Sequence, residues 1–264
     1  MPPTLTELIT LARQAGEILR TCFGQLLHVD QKGVIDLVSD ADRQSEQFLL
    51  SYIHQHFPTD RIVAEESGEH SGTSDHTWYV DPLDGTVNYV HGIPIYAVSI
   101  AYAEAGVLRL GVVYDPMRDE CFSAEAGSGA WLNGEPIHPS LASDLDHALL
   151  VNGFPYDIRT TPENNLDHFA HLALHTQGVR RLGSAALDLC YVACGRFDGF
   201  WELSLKAWDV AAGALIALEA GAVVTDMAGK PDFMAAPQSA LTANPQLYSL
   251  LLHELVRNRV SAAS

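Results

Sequence analysis

Positive charge is scarce in this chain. Its 264 residues carry 15 Lys+Arg against 33 Asp+Glu, a formal net charge of −18 with histidine neutral. A field of that sign repels phosphate, so neither nucleic acid nor an anionic membrane is an expected partner. Any phosphorylated ligand needs a local source of positive charge. Cysteine is scarce too: Cys22, Cys121, Cys190 and Cys194 show no CxxC spacing and no disulfide-dense pattern, which fits a reducing compartment. No apolar run reaches the ~18 residues of a membrane span, and Met1-Pro2-Pro3 opens no basic-then-apolar signal sequence, so a soluble cytoplasmic protein is expected. A nucleophile elbow, a Walker loop and an HExxH pair are all absent. What is present is apolar content, 47% of residues against 18% charged, enough for a sizeable core and too much for a disordered chain.

The apolar residues divide the chain into two rhythms. Leu5, Leu8, Ile9, Ala12, Ala15, Ile18, Leu19 and Phe23 recur at helical spacing behind a Thr4-x-x-Glu7 capping box, with Gly24 as a stop. A second helix is expected from Asp40, with Phe48, Leu49, Tyr52 and Ile53 on one face, ending before Pro58. Short strands then follow at 61–64, 78–80, 97–103 and 107–114, with Asn133-Gly134 as a turn between two more. Helices against an antiparallel-leaning sheet make this half α+β. From about residue 145 strands and helices alternate: strands at 149–151, 179–182, 197–203 and 222–226, helices at 162–176, 185–194 and 207–220, the last stopped by Gly221. The second half reads as α/β. A boundary near residues 140 to 147 therefore divides 1–145 from 146–264, and without a flexible linker the halves are expected to pack as one body.

Chemistry concentrates in Trp78-Tyr79-Val80-Asp81-Pro82-Leu83-Asp84-Gly85-Thr86. A strand should end at Asp81, where Pro82 blocks continuation, and Asp84 arrives three positions later beside a Gly-Thr turn. Two hard oxygen donors at one strand end suit Mg²⁺, which uses few carboxylates and shares phosphate oxygens with a substrate; N-cap aspartates in a plain turn are the bland alternative. Gly85 allows close backbone approach to a ligand, and Thr86 offers a hydroxyl and, at a helix start, free N–H groups for an anion. Glu65-Glu66 follows the strand Ile62-Val63-Ala64, where alternation sends only one of the two toward a shared site; a solvated acidic turn is the alternative. Asp209 opens the helix after Trp208, as ligand or simply as a cap.

Together these segments resemble the signature motifs of the inositol monophosphatase family, in order and spacing and over nearly the whole chain. Besides Glu65-Glu66-Ser67, the stretch Asp81 to Tyr89 and Trp208-Asp209-Val210-Ala211-Ala212-Gly213, the likeness includes Lys32 followed by Asp36 to Asp42, and Arg180 to Asp188. The resemblance implies alternating layers, α-β-α-β-α, with the site between two intimate halves. It implies two to three Mg²⁺ held by Glu65, Asp81, the Leu83 carbonyl, Asp84 and Asp209, and direct attack of a metal-activated water on phosphorus. Thr86 then orients that water, Asp42 hydrogen-bonds Thr86, and Glu65 helps take the proton. Gly85 and Thr86 N–H groups and Lys32 would meet the phosphate, while Gly183, Ser184, Ala185 and Glu202 would meet the alcohol, with Asp209 also near the substrate. The implied reaction is hydrolysis of inositol 1-phosphate by a lithium-sensitive homodimer. Related enzymes act on histidinol phosphate, fructose 1,6-bisphosphate or 3′-phosphoadenosine phosphates, and a regulatory binding protein that kept the fold is the reading of another class. Ala207 stands where bacterial members often have proline, which removes no ligand.

Two other patterns are set aside. His168, His171 and His175 share a helical face but lack a further ligand, so a polar surface with pH sensitivity is the better reading. Gly127-Ser128-Gly129-Ala130-Trp131-Leu132 lacks the third glycine of a dinucleotide loop.

Overall fold

The computed structural model describes residues 2–25, 28–32 and 37–262; Asp36, part of the motif after Lys32, lies outside them. Helix α1 (Leu5–Cys22) begins at the expected capping box, with Glu7 N–H donating to Thr4 Oγ1 at 3.3 Å and Thr4 N–H donating to Glu7 Oε2 at 2.7 Å. A short hairpin, β1 (Val29–Gln31) and β2 (Leu37–Ser39), leads into α2 (Asp40–His56). Next come β3 (Arg61–Ala64), β4 (Gly68–His70), β5 (His76–Asp84), the single turn α3 (Thr86–Val90), β6 (Ala97–Glu104), β7 (Val107–Asp115), β8 (Glu120–Glu125), β9 (Gly129–Leu132) and β10 (Glu135–Pro136). These strands form an eight-stranded sheet, β10-β9-β8-β7-β6-β5-β3-β4, antiparallel except where β3 runs parallel to β5. Asn133 and Gly134, both at positive φ, make the β9–β10 turn as the sequence predicts.

The second half contributes β11 (Leu149–Asn152), α4 (Leu166–Ala173), β12 (Gly178–Arg180), α5 (Ala185–Ala193), β13 (Gly199–Leu205), α6 (Ala207–Ala220), β14 (Val223–Thr225), β15 (Gln238–Ala243) and α7 (Pro245–Ala262). Its five-stranded sheet, β12-β11-β13-β15-β14, is parallel through β13 and antiparallel beyond it, so the α/β expectation holds for only part of this half. The helix expected over 162–176 shrinks to α4, because Asn165 takes a left-handed conformation and spends its side chain on Trp201 and Gly153 rather than on a helix start. Strands β4, β8 and β15 and helix α7 were not foreseen.

Helices α1 and α2 cover one face of the large sheet, α5 and α6 fill the space between the sheets, and α4 and α7 cover the outer face of the small one. This is the expected α-β-α-β-α layering. Residue size on β6 explains its order. The large Val98, Ile100 and Tyr102 pack toward α1 and α2, whereas the small Ala97 and Ala101 belong to the cluster around α5 and α6. On neighbouring β7, Gly111 lets α6 come so near that an added Cβ would lie 3.0 Å from the Ala212 carbonyl oxygen. The helices are equally tight against one another: a Cβ on Gly213 would stand 2.8 Å from Leu189 Cβ and 3.2 Å from Ala186 O. Gly213→Ala is expected to lower the unfolding free energy by about 1–3 kcal/mol through overpacking; urea denaturation at wild-type stability would show that α5 and α6 are not in such close contact.

Candidate functional site

Strand β5 passes through Asp81 instead of ending there. Its pairing with β6 shifts between Asp81↔Ser99 and Asp84↔Ala97, so three steps on β5 oppose two on β6, and the resulting bulge accommodates Pro82, which has no N–H to give the ladder. Asp81 Oδ1 accepts from Leu83 N at 3.0 Å, and Ser45 of α2 donates to the Pro82 carbonyl at 2.9 Å. Gly85, at φ +101, then turns the chain into α3; a Cβ there would meet Ile95 O at 3.0 Å and Gly183 O at 3.2 Å.

Behind this turn Asp42, the third residue of α2, is fully buried. Its Oδ2 accepts from Ser39 N at 2.9 Å and Ser39 Oγ at 2.5 Å, leaving Oδ1 to accept from Thr86 Oγ1 at 2.9 Å. Thr86 Oγ1 also lies 3.0 Å from Leu83 O, so two acceptors share its one hydrogen and its lone pairs are left for another donor. Burial raises the Asp42 pKa, against the bonds from Ser39 and Thr86.

Glu65 and Glu66 occupy a turn after β3 rather than its continuation, so strand alternation does not separate them. Both reach Lys32, whose Nζ is 3.2 Å from Glu65 Oε1 and 2.6 Å from Glu66 Oε1. The turn is held by a residue the sequence reading missed: Glu46 of α2 accepts from Glu66 N at 2.8 Å and Ser67 N at 2.9 Å. A carboxylate on the buried stripe that holds Asp42, Leu49 and Ile53 was the available signal.

From the second half, Asp209 is the third residue of α6 and accepts from Lys206 N at 2.7 Å, so it is a first-turn carboxylate. Asp84 reaches the start of α5, where Ser184 Oγ donates at 2.6 Å and Ala186 N at 2.7 Å to its Oδ2. Ser184 also caps α5, accepting from Leu187 N at 3.4 Å. Glu202 lies against Gly153, where an added Cβ would fall 2.1 Å from the Glu202 carboxyl carbon.

A cleft of about 360 Å³ brings many of these groups together. Asp84, Gly85, Thr86 and Asp209 line it together with Gly183, Ser184, Ala185 and Glu202. From the Arg180 to Asp188 motif, Arg181 also lines it, as does Asp188 on the buried face of α5, whose Oδ1 has no hydrogen-bond partner. Lys32 and Glu65 line a separate, larger recess of about 610 Å³ beside α2, and Asp42, Asp81 and Leu83 are buried behind the walls. The three histidines are structural: His168 contacts Asn165 Oδ1 and Leu255 O, His171 contacts Glu254 and His175 contacts the His171 carbonyl.

Burial and mutual repulsion dominate the electrostatics. Asp81 is pushed well up by burial and by Glu65, Asp84 and Asp209; Asp209 by burial, Glu65 and Asp84; Glu202 by burial, Asp209 and Asp84. Burial lifts Asp84 to about 6 despite its bonds to Ser184 and Ala186, and lifts Glu66 to about 7. Among the described residues no three His, Cys, Asp or Glu side chains form a ready cage for an ion. The buried Asp81 and the half-buried Glu65, Asp84 and Asp209 nevertheless form an acidic set that fits a hard divalent cation, and Mg²⁺ in particular needs only one or two of them directly when water and substrate oxygens complete its shell.

These shifts have a definite sign. Near pH 4 and below, folded and unfolded chains both hold these protons; as pH rises the unfolded chain releases them first, and folding loses stability up through the raised folded-state values. Chelator-treated protein is therefore expected to melt at a lower temperature at about pH 7.5 than at about pH 5, with Mg²⁺ narrowing the difference. Equal melting temperatures at the two pH values in chelator would contradict the clustering.

Comparison with known proteins gives a consistent picture. The inositol monophosphatase family profile matches residues 2–260. The Nus factor SuhB of Salmonella typhimurium is 40% identical over 266 residues, covering 100% of this chain and 99% of that protein. The solved inositol monophosphatase from Anabaena (Nostoc) sp. PCC 7120 is 42% identical with a TM-score of 0.85, covering 96% of each chain. The Thermotoga maritima IMPase is 34% identical with a TM-score of 0.88, covering 97% of this chain and 98% of its own.

Proposed function

The chain belongs to the inositol monophosphatase family, a family of generally Mg²⁺-dependent phosphatases, and we propose that it hydrolyses a small phosphorylated polyol, with inositol 1-phosphate as the first candidate. The observation that carries this reading is that Asp209 from α6 is pushed up by Glu65 and Asp84 of the first half, while the cleft that Asp84 and Asp209 line also presents Glu202 and the Gly183-Ser184-Ala185 turn. The acidic set suits phosphate held through cations; Glu202 and the turn offer an acceptor and backbone groups to hydroxyls.

Mg²⁺, two to three ions held by Glu65, Asp81, the Leu83 carbonyl, Asp84 and Asp209, would cancel the carboxylate charge, lower the pKa of a bound water and clamp phosphoryl oxygens. The protein's own groups do the rest. With its one hydrogen shared between Asp42 and the Leu83 carbonyl, the threonine oxygen is left as an acceptor and aligns an attacking water by one of its protons. Glu65 receives the proton that water sheds. The Gly85 and Thr86 N–H groups bind phosphoryl oxygens, and Lys32, held by Glu65 and Glu66, lends positive charge from behind. Glu202, buried beside Gly153, accepts from the polyol hydroxyls.

The test is a panel of inositol 1-phosphate, histidinol phosphate, fructose 1,6-bisphosphate, 3′-phosphoadenosine phosphate and glycerol 2-phosphate with Mg²⁺. Inositol 1-phosphate is expected to have the highest kcat/KM, to need Mg²⁺ for binding as well as turnover, and to be inhibited by Li⁺; preference for another ester would overturn the substrate choice.

Asp84→Asn and Asp209→Asn are each expected to cut turnover by orders of magnitude while leaving a folded protein. Wild-type rates in either variant would sink the ligand assignment.

We further infer a cytoplasmic homodimer. Among the described residues no helix is long and apolar enough to cross a membrane. The Nus factor name of the Salmonella relative favours a second role as a binding protein in transcription. Binding of purified transcription elongation proteins by the Asp209→Asn variant would support it, and no binding would remove it.

A further inference from the structure

Asn88 belongs to none of the roles assigned above, yet it joins the two turns that carry Thr86 and Ser184. It is the third residue of α3, two positions after Thr86, and is only 7% exposed. Its carboxamide nitrogen donates to the Ile95 carbonyl at 2.9 Å and to the Leu182 carbonyl at 2.7 Å, so both amide hydrogens are committed. Ile95 precedes β6 in the large sheet, whereas Leu182 follows β12 in the small one and leads directly into Gly183-Ser184-Ala185. The same carboxamide forms the surface on which Gly183 rests: a Cβ there would lie 3.1 Å from Asn88 Nδ2 and 3.4 Å from Oδ1, at a φ of +85. Gly85 and Gly183 thus press their backbones together with one side chain bridging them.

We propose that Asn88 is a positioning residue that sets the gap between the phosphate-handling turn at Gly85-Thr86 and the alcohol-handling turn at Gly183-Ser184-Ala185. The proposal rests on the functional reading above. The physical argument is one of register between two bodies. The 84–86 turn is fixed by the β5 bulge and by Asp42, and the 183–185 turn by the start of α5. Ser184 and Ala186 join them only through Asp84, a side chain also assigned to cation binding. Asn88 supplies a tether that needs neither cation nor substrate. An ester whose alcohol spans the cleft must satisfy both turns at once and depends on the gap, since a misplacement of about 1 Å costs on the order of 10²-fold in rate. A short alcohol that leaves the 183–185 turn untouched depends on it far less.

Asn88→Asp keeps the shape but has no hydrogens to donate to two carbonyls; Asn88→Ala removes the bridge. Both are compared with wild type on inositol 1-phosphate and glycerol 2-phosphate, with thermal melting to confirm folding and amide hydrogen exchange over residues 181–186. The ratio of kcat/KM for the inositol ester to that for the glycerol ester is expected to fall roughly tenfold or more in both variants, and exchange at 181–186 to quicken. An unchanged ratio in folded variants overturns the proposal while leaving the phosphatase reading intact. Should wild type hydrolyse neither ester, that reading falls, and the tether is judged by exchange alone: wild-type protection in both variants overturns it.

Discussion

Repulsion within a set of crowded carboxylates is the constraint around which the rest of the molecule is arranged. Glu65, Asp81 and Asp84 come from one sheet and its turns, and Asp209 from a helix inserted between the sheets. Glu65 and Asp84 raise the proton affinity of both Asp81 and Asp209, and Asp209 raises that of Asp81, through a medium that screens little. Such a cluster is costly to assemble, and the surrounding structure supplies what holds it in place. The alanine and glycine positions on β6, β7 and α6 permit the close approach that carries Asp209 inward. Hydrogen bonds from backbone N–H groups of Leu83, Ala186 and Lys206 fix three of the four carboxylates individually. The global charge of −18 is therefore a separate matter from the site, because most of the acidic residues lie elsewhere.

Irregular backbone accompanies the chemistry in both sheets. The β5 bulge lies between Asp81 and Asp84, and the β13 pairing with β15 slips between Glu202 and Leu205, where Ser204 takes a positive φ. In each strand the break in register falls immediately after a carboxylate placed at the site. A regular ladder would continue the alternation of faces; a bulge re-aims the following residue and ends the strand near the cleft.

Much of this was legible in the sequence because it is written locally. The Thr4 capping box, the Gly221 stop and the Asn133-Gly134 turn each depend on a few neighbouring residues, and the structure contains all of them. The Asp-x-x-Asp spacing marked one strand end as a candidate site, and the family resemblance joined the late aspartate after Trp208 to it. Strand ends were less legible. Pro82 reads locally as a stop, and only the β6 pairing partner shows that the strand absorbs it. Glu65 and Glu66 were assigned opposite faces by a period that applies within strands, whereas they occupy a turn. Strand β15 has no strong local signature and is defined by the sheet it completes, whereas α7 carries local signals that went unread, Asn244-Pro245 at its start and Leu247, Leu251 and Leu255 at four-residue spacing. Glu46 and Asn88 matter through partners distant in sequence, and nothing nearby in the chain announces those partners.

The cleft draws its lining from both sheets: Asp84, Gly85 and Thr86 come from β5 and the turn after it, whereas Gly183, Ser184, Ala185 and Glu202 come from the β12–α5 turn and β13. On the function proposed above, reaction and recognition are encoded in separable stretches of chain, joined by few side chains. A change of preferred alcohol would then ask for substitutions in the smaller sheet or at the Asn88 bridge, and the fold would behave as a chemical engine with an exchangeable fitting.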